Sequence, residues 1–307
     1  MAGGVLILAS CSRDSNKSTS FKKLDSTCVD ITQTEKGIEI PSGSYRIGDD
    51  RFYPEEDPIR IVGIEAFNID VTEVTNRQFK EFVAATGYVT RAERGLPESK
   101  FEQIPQKLRS PGSVVFTPPL EKADLNIGSW WQFIEGASWK EPQGPGSSIT
   151  GLENHPVVHV TFEDAAAYAQ WKGRRLPTEA EWEAAARGPD NPAAYSWGDQ
   201  PPNKLSEPPA NTWQGIFPVL NQENDGYAQT APAGCFPPNA TGLYDMIGNV
   251  WEMTASDYSP TAGVIKGGSY LCAENYCARY RPAARQPHEW ALGSSHIGFR
   301  TVTSITP

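Results

Sequence analysis

Glycine and proline interrupt this chain 27 and 26 times in 307 residues, which predicts a loop-rich fold with short helices and short strands. Irregular backbone needs anchors, and nine Trp spread along the sequence supply large aromatic plates for it. Three segments carry helix signals. Thr75 with Gln78 forms a capping box ahead of Phe79, Phe82 and Val83 at helical spacing, closing near Gly87. Thr161 with Asp164 opens a second helix carrying Ala165, Tyr168, Ala169 and Trp171 up to Gly173. Thr178 with Glu181 opens a third, with Trp182, Ala185 and Ala186 on one face and Gly188 at its end.

Strand patterns are brief. Ile38, Ile40, Tyr45 and Ile47 alternate with polar residues around Pro41-Ser42-Gly43, which predicts a hairpin. Residues 59–64 and Val157-Val158-His159-Val160 predict two more strands. The stretch 88–156 holds Trp130, Trp131 and Trp139 among many Pro and Gly, and is expected to be ordered but irregular. From Pro189 onward only turns and short strands are expected. With no internal repeat and no linker, residues 37–307 read as one domain, preceded by a segment over 1–36.

That leading segment contains Val5-Leu6-Ile7-Leu8-Ala9 followed by Ser10-Cys11, which looks like a bacterial lipoprotein cleavage box with Cys11 as the lipidated residue. A complete signal has about 15 to 30 residues and a positive start, neither present before Cys11, so a disordered tail is the alternative. The first reading gives an exported protein, periplasmic or membrane-anchored; the second gives a cytoplasmic one. Residues 12–36 form a polar tether, and no later stretch is long and apolar enough to span a membrane. A formal charge of −10 without a Lys/Arg block makes nucleic acid a poor partner and leaves no basic patch for anionic lipid.

Cys272 and Cys277 form Cys-x4-Cys within Lys266-Gly-Gly-Ser-Tyr-Leu-Cys-Ala-Glu-Asn-Tyr-Cys-Ala-Arg-Tyr-Arg281. A spacing of five puts side chains on opposite faces of a strand, or about 140° apart on a helix, so joint action requires a turn. Paired thiolates are soft ligands suited to Cu(I) or another thiophilic ion, whereas tetrahedral zinc usually needs two further Cys or His at recognisable spacing, which the four His do not supply. A local disulfide in an exported chain is the other reading of this spacing.

The segment from Gly267-Gly268-Ser269 through Cys277, with Arg279-Tyr280-Arg281 and the closing Gly298-Phe299-Arg300, resembles the active-site region of formylglycine-generating enzymes. Further blocks follow in family order: His155-Pro156-Val157, Gly173 through Glu183, Trp197-Gly198, Asn211-Thr212-Trp213-Gln214-Gly215, Gly242-Leu243-Tyr244-Asp245 and Gly248-Asn249-Val250-Trp251-Glu252. Together they cover about 38–303. Several are shared with a wider superfamily of sulfoxide synthases, maturation proteins and binding domains; the cysteine pair separates the oxidase branch. The resemblance implies a mixed α+β fold related to C-type lectin-like domains.

It also implies a copper-dependent oxidation by O2 that turns a substrate cysteine into formylglycine. Cys272 and Cys277 would hold Cu(I), with Ser269, Tyr276 and Trp251 around the reacting groups. The implied partner is an unfolded sulfatase-type polypeptide carrying Cys-x-Pro-x-Arg, bound by a monomer in a groove with an acidic end; His296 and Arg279 are candidate substrate-binding residues. His296 stands where the family commonly has Asn. Pro282 stands where animal members have a cysteine, and Cys28 and Cys235 either pair instead or stay free. Two structural calcium sites are implied: Asn211 and Asp225 with the carbonyls of Thr212 and Tyr227, and Asp245 and Glu252 with those of Gly248 and Val250.

The alternative is a non-catalytic binding or maturation module on the same scaffold, with Cys272 and Cys277 closed as a disulfide. An iron-dependent sulfoxide synthase would need His-x3-His-x-Glu, and a serine hydrolase a Gly-x-Ser-x-Gly elbow; neither is present.

Overall fold

In the computed structural model, residues 28–30, 36–119, 130–189 and 191–305 are described. Cys11 and the tether before residue 28 lie outside them. The expected hairpin at the start of the domain is replaced by two separate pairings. Strand β1 (Ile38–Ile40) leaves its neighbour β2 (Gly43–Ile47), which pairs with β3 (Arg60–Ile64). β1 instead joins β4 (Phe67–Ile69), whose other edge takes the last strand of the chain, β13 (Val302–Ser304). Ile40 and Ile47, both buried, thereby enter one core with Phe67, Ile69 and Val302.

The capping boxes form as the sequence predicts. In α1 (Asn76–Thr86) the Thr75 hydroxyl accepts from the Gln78 N–H, the Gln78 side chain accepts from the Thr75 N–H, and Gly87 closes the helix at φ 67°. Phe79 and Phe82, one turn apart, are buried against Trp139, Tyr168 and Phe299; each removes about 2–3 kcal/mol worth of apolar surface from water. Residues 88–156 contain the single turns α2 (Arg91–Arg94) and α3 (Gln106–Arg109) and the hairpin of β5 (Gly112–Phe116) with β6 (Trp131–Glu135). This segment is more regular than its composition suggests.

Val157–Val160 is not a strand. His159 adopts φ 62°, and the segment threads between Val74 and Ser294 through single backbone hydrogen bonds. Helices α4 (Phe162–Trp171) and α5 (Glu179–Arg187) follow, each with its capping box. A short hairpin, β7 (Gly215–Ile216) with β8 (Leu220–Asn221), precedes the four-stranded sheet that carries the site. Its order is β11-β10-β9-β12, built from β9 (Trp251–Ser259), β10 (Ala262–Lys266), β11 (Arg285–Glu289) and β12 (Ile297–Gly298). Cys28 and Cys235 form a disulfide, which ties residues 28–30 to the domain.

Candidate active site

β10 ends in Lys266, a buried ammonium held 3.0 Å from the Glu183 carboxylate of α5. The chain must turn at once, and Gly267 and Gly268 do so at φ 91° and 78°. A Cβ at Gly268 would lie 3.0 Å from the Tyr280 Cα, so only glycine lets the two arms of this loop approach. The loop then folds on itself. The Cys272 N–H donates to the Ser269 carbonyl at 2.9 Å and the Cys277 N–H to the Ala273 carbonyl at 3.0 Å. Asn275 clamps the turn from outside, accepting from the Phe217 N–H and donating to its carbonyl.

The turn brings Cys272 and Cys277 together with Sγ···Sγ at 3.3 Å, both thiols free and buried. Cys277 is lowered to about 7, first because the Cys272 S–H points at its sulfur and then because the Arg279 N–H and guanidinium stabilise the thiolate against burial. Cys272 is raised, by burial and by its anionic neighbour, in spite of hydrogen bonds from Ser269. At pH 7 roughly half of the pairs therefore share a single proton between two sulfurs, and the rest carry two.

A cleft of about 530 Å³ opens over the thiols. Trp251, from β9, and Ser269 form part of its floor, and Tyr276 stands at the rim, half-exposed and stacked 4.4 Å from Phe217. His296 lines the cleft beside Trp131, 4.7 Å between rings, with Nδ1 2.8 Å from the Ser294 hydroxyl. Burial lowers its pKa to about 3, so the ring is a neutral imidazole. Arg279 also lines the cleft, but its guanidinium is committed. It donates to Glu55 at 2.9 Å, lies 4.0 Å over the Tyr53 ring and reaches the Cys277 sulfur.

Sequence reasoning did not find Glu55 and Tyr53, because nothing in a local pattern links residues more than 200 positions apart. It also missed Trp131, Gln286 and His288 of the cleft wall. Trp131 was legible only as a loop anchor. No carboxylate is among the described residues lining this cleft, so it does not supply the acidic end expected of a substrate groove.

The two oxygen-rich sets differ. Asn211 leaves a buried Oδ1 with no hydrogen-bond partner, and the amide nitrogen of Gln214 sits where the Thr212 carbonyl, the Thr212 hydroxyl and an Asp225 oxygen converge. Asp225 also accepts from the Tyr227 N–H at 3.0 Å. A buried oxygen without a donor beside a cluster of acceptors is suited to a hard cation. In the second set Glu252 has both oxygens engaged, by Arg300 at 2.6 and 2.7 Å and by the Trp182 indole at 2.7 Å. Asp245 accepts from the Gly234 N–H at 2.5 Å, while the main chain at Gly248 and Val250 lies buried in the same segment. A cation at Glu252 would have to share these oxygens with Arg300 and Trp182.

A family profile described as "Sulfatase-modifying factor enzyme 1-like domain" matches residues 21–305. A formylglycine-generating enzyme of Mycobacterium tuberculosis is 47% identical over 292 residues, covering 86% of this chain and 96% of the relative. One from Thermomonospora curvata is 45% identical, covering 86% and 91%. A Bos taurus relative named inactive C-alpha-formylglycine-generating enzyme 2 is 38% identical over 87% of this chain and 88% of its own. Among solved structures, PvdO from Pseudomonas aeruginosa superposes with a TM-score of 0.59 at 23% identity, covering 87% and 93% of the two chains, which places the fold.

Proposed function

This chain belongs to the formylglycine-generating enzyme family, and on that premise we propose that Cys272 and Cys277 are the Cu(I)-holding, O2-using centre of its reaction. The reaction is the conversion of a cysteine in a sulfatase polypeptide to formylglycine. The observation that carries the assignment is the pair itself: two reduced sulfurs 3.3 Å apart beneath an open cleft. A relative named inactive is 38% identical, so family membership alone does not decide chemistry.

The donor set fits the metal. Two soft sulfurs, one of them anionic near neutrality, favour Cu(I), and no group of three His, Cys, Asp or Glu among the described residues competes for a harder ion. Bound Cu(I) would supply one-electron chemistry with O2 and accept the substrate thiolate as a further soft ligand. The protein's part is arrangement. Arg279 and the Cys272 S–H hold Cys277 as thiolate, and Ser269 directs its hydroxyl at Cys272. Trp251 and Tyr276, the latter braced by Phe217, line the cleft with aromatic surface, which limits water at the reacting sulfur. His296, kept neutral, can hydrogen-bond a substrate amide without adding charge.

Calcium at Asn211, Thr212, Asp225 and Tyr227 would satisfy the unpaired Asn211 oxygen and staple a loop-rich region. The Cys28–Cys235 disulfide supports export to an oxidising compartment.

Mass spectrometry of a Cys-x-Pro-x-Arg peptide, incubated aerobically with Cu(I)-loaded protein, tests the assignment. Aldehyde that forms with wild type and is absent with Cys272→Ala and Cys277→Ala is the expected result. An unchanged peptide with thiols shown to be free and loaded would overturn it.

A further inference from the structure

The thiol loop is tied at its entry and its exit to one distant piece of chain, the connection between β2 and β3. Gly48 opens that connection, and its N–H donates at 2.8 Å to Glu183, the carboxylate that also holds Lys266 at the entry to the loop. A Cβ at Gly48 would lie 2.8 Å from the Glu56 carbonyl, so the next residues fold back onto bare backbone. Residues 52–56, with the single turn Pro54–Glu56, then bring two carboxylates and two rings to the exit. Glu56, buried, pairs with Arg281, whose guanidinium lies 4.0 Å over Phe52 and also donates to the Ala278 carbonyl. Glu55 accepts from Arg279 through Nε at 2.9 Å and Nη2 at 2.5 Å, and the Tyr53 ring lies 4.0 Å from the same guanidinium.

The two guanidiniums serve different ends. Arg281 is engaged by Glu56 and by backbone, which braces the chain. Arg279 reaches the Cys277 sulfur, and it is the only Lys or Arg among the described residues lining the thiol cleft, where no carboxylate stands. Two thiolates around a monovalent ion carry one excess negative charge, and a substrate thiolate adds a second; this guanidinium is the group placed to offset them. Its aim decides whether it does. With Nε and Nη2 on one Glu55 oxygen and a face on Tyr53, the planar fork is held in one orientation, whereas an Arg side chain without partners spreads over many rotamers.

We propose that Glu55 and Tyr53 are positioning residues for the reacting centre, holding the Arg279 guanidinium at the Cys277 sulfur as the counter-charge of the thiolate cluster. This deepens the reading of the thiol pair as the Cu(I) site and rests on it. The direction of the effect separates aim from charge. Glu55 is itself an anion, so by charge alone its removal would strengthen the positive field at the sulfurs and favour an anionic cluster. By aim its removal weakens the cluster, because the Arg279 side chain is 25% exposed and has solvent to turn into. Glutamine at this position keeps an acceptor oxygen for the fork and drops the charge.

The test measures Cu(I) affinity by competition with a chromophoric chelator, on variants shown by urea unfolding to be folded. Glu55→Ala is expected to weaken binding roughly tenfold, the size usual for an outer-shell partner, and Glu55→Gln to stay within about twofold of wild type. In an Arg279→Gln background, Glu55→Ala should change affinity by less than about twofold, because the carboxylate acts through the guanidinium. Affinity unchanged or raised in Glu55→Ala overturns the proposal. So does a loss in Glu55→Gln as large as in Glu55→Ala, or an equal loss with and without Arg279. If Glu55→Ala does not fold, Tyr53→Leu, which keeps apolar cover without the π face, takes its place in the cycle, and no loss there overturns the proposal. If wild type takes up no Cu(I), the reading of the thiol pair fails, and the positioning is then judged in metal-free protein by the rate of Cys277 alkylation. Slower alkylation in Glu55→Ala than in wild type supports it; equal rates overturn it.

Discussion

Replacing Cys272 by Ala should move the titration of Cys277 upward by more than one pH unit. In the native pair Cys277 lies at about 7 against 9 for an unperturbed thiol, a preference for thiolate of about 3 kcal/mol. Its largest cause is the Cys272 S–H at 3.3 Å; the Arg279 N–H and guanidinium add to it, and burial works against both. Without the S–H, Arg279 alone opposes burial, and the thiolate fraction at pH 7 falls from about one half to a few per cent. The assay is the rate of iodoacetamide alkylation of Cys277 against pH, read by mass spectrometry of its tryptic peptide in metal-free protein. Wild type should show its inflection near 7 and Cys272→Ala nearer 9, while Cys272→Ser, which keeps an O–H donor, should lie between. An inflection near 7 in Cys272→Ala would refute the shared-proton description and leave Arg279 as the sole cause.

Three further outcomes are expected. Arg300→Gln should lower the free energy of unfolding in urea by roughly 3–5 kcal/mol, because it strips the bidentate partner from Glu252, a carboxylate 1% exposed. His155 is held neutral by burial, at about 4 against an ordinary 6.5, so it contributes stability that is full above 6.5 and lost as pH falls toward 4; in His155→Gln the stability should fall less steeply over that window, by about 1.4 kcal/mol per pH unit. Added calcium should raise the Tm of wild type, and Asp225→Asn should abolish that rise; an equal rise in both would remove Asp225 from the ligand set.

The helices and the thiol turn were legible because their causes are local. Thr75 with Gln78, Thr161 with Asp164 and Thr178 with Glu181 satisfy their own helix starts from three residues away, and two thiols five residues apart can act jointly only across a turn. The Gly267-Gly268-Ser269 block pointed to the family for the same reason, since two left-handed residues leave glycine as the least strained choice. The first strands were misread as a hairpin because their partners lie elsewhere: β1 pairs with β4 and through it with the last strand of the chain, and alternation shows a buried face without naming the neighbour. Val157–Val160 has strand composition, but His159 turns the backbone to reach Ser113 and the Pro142 carbonyl.

Charge pairing was equally hidden. Nothing near Arg279 predicts Glu55 and Tyr53, and nothing near Glu252 predicts Arg300. The sequence by itself therefore determined the three capped helices, the candidate thiol pair and the family. Tertiary structure alone decided which sulfur loses its proton more readily, which carboxylates pair with Arg279 and Arg300, and where the thiol cleft opens. Those properties depend on distance and burial between residues far apart in the chain, and electrostatic energy responds to separation in space rather than in sequence.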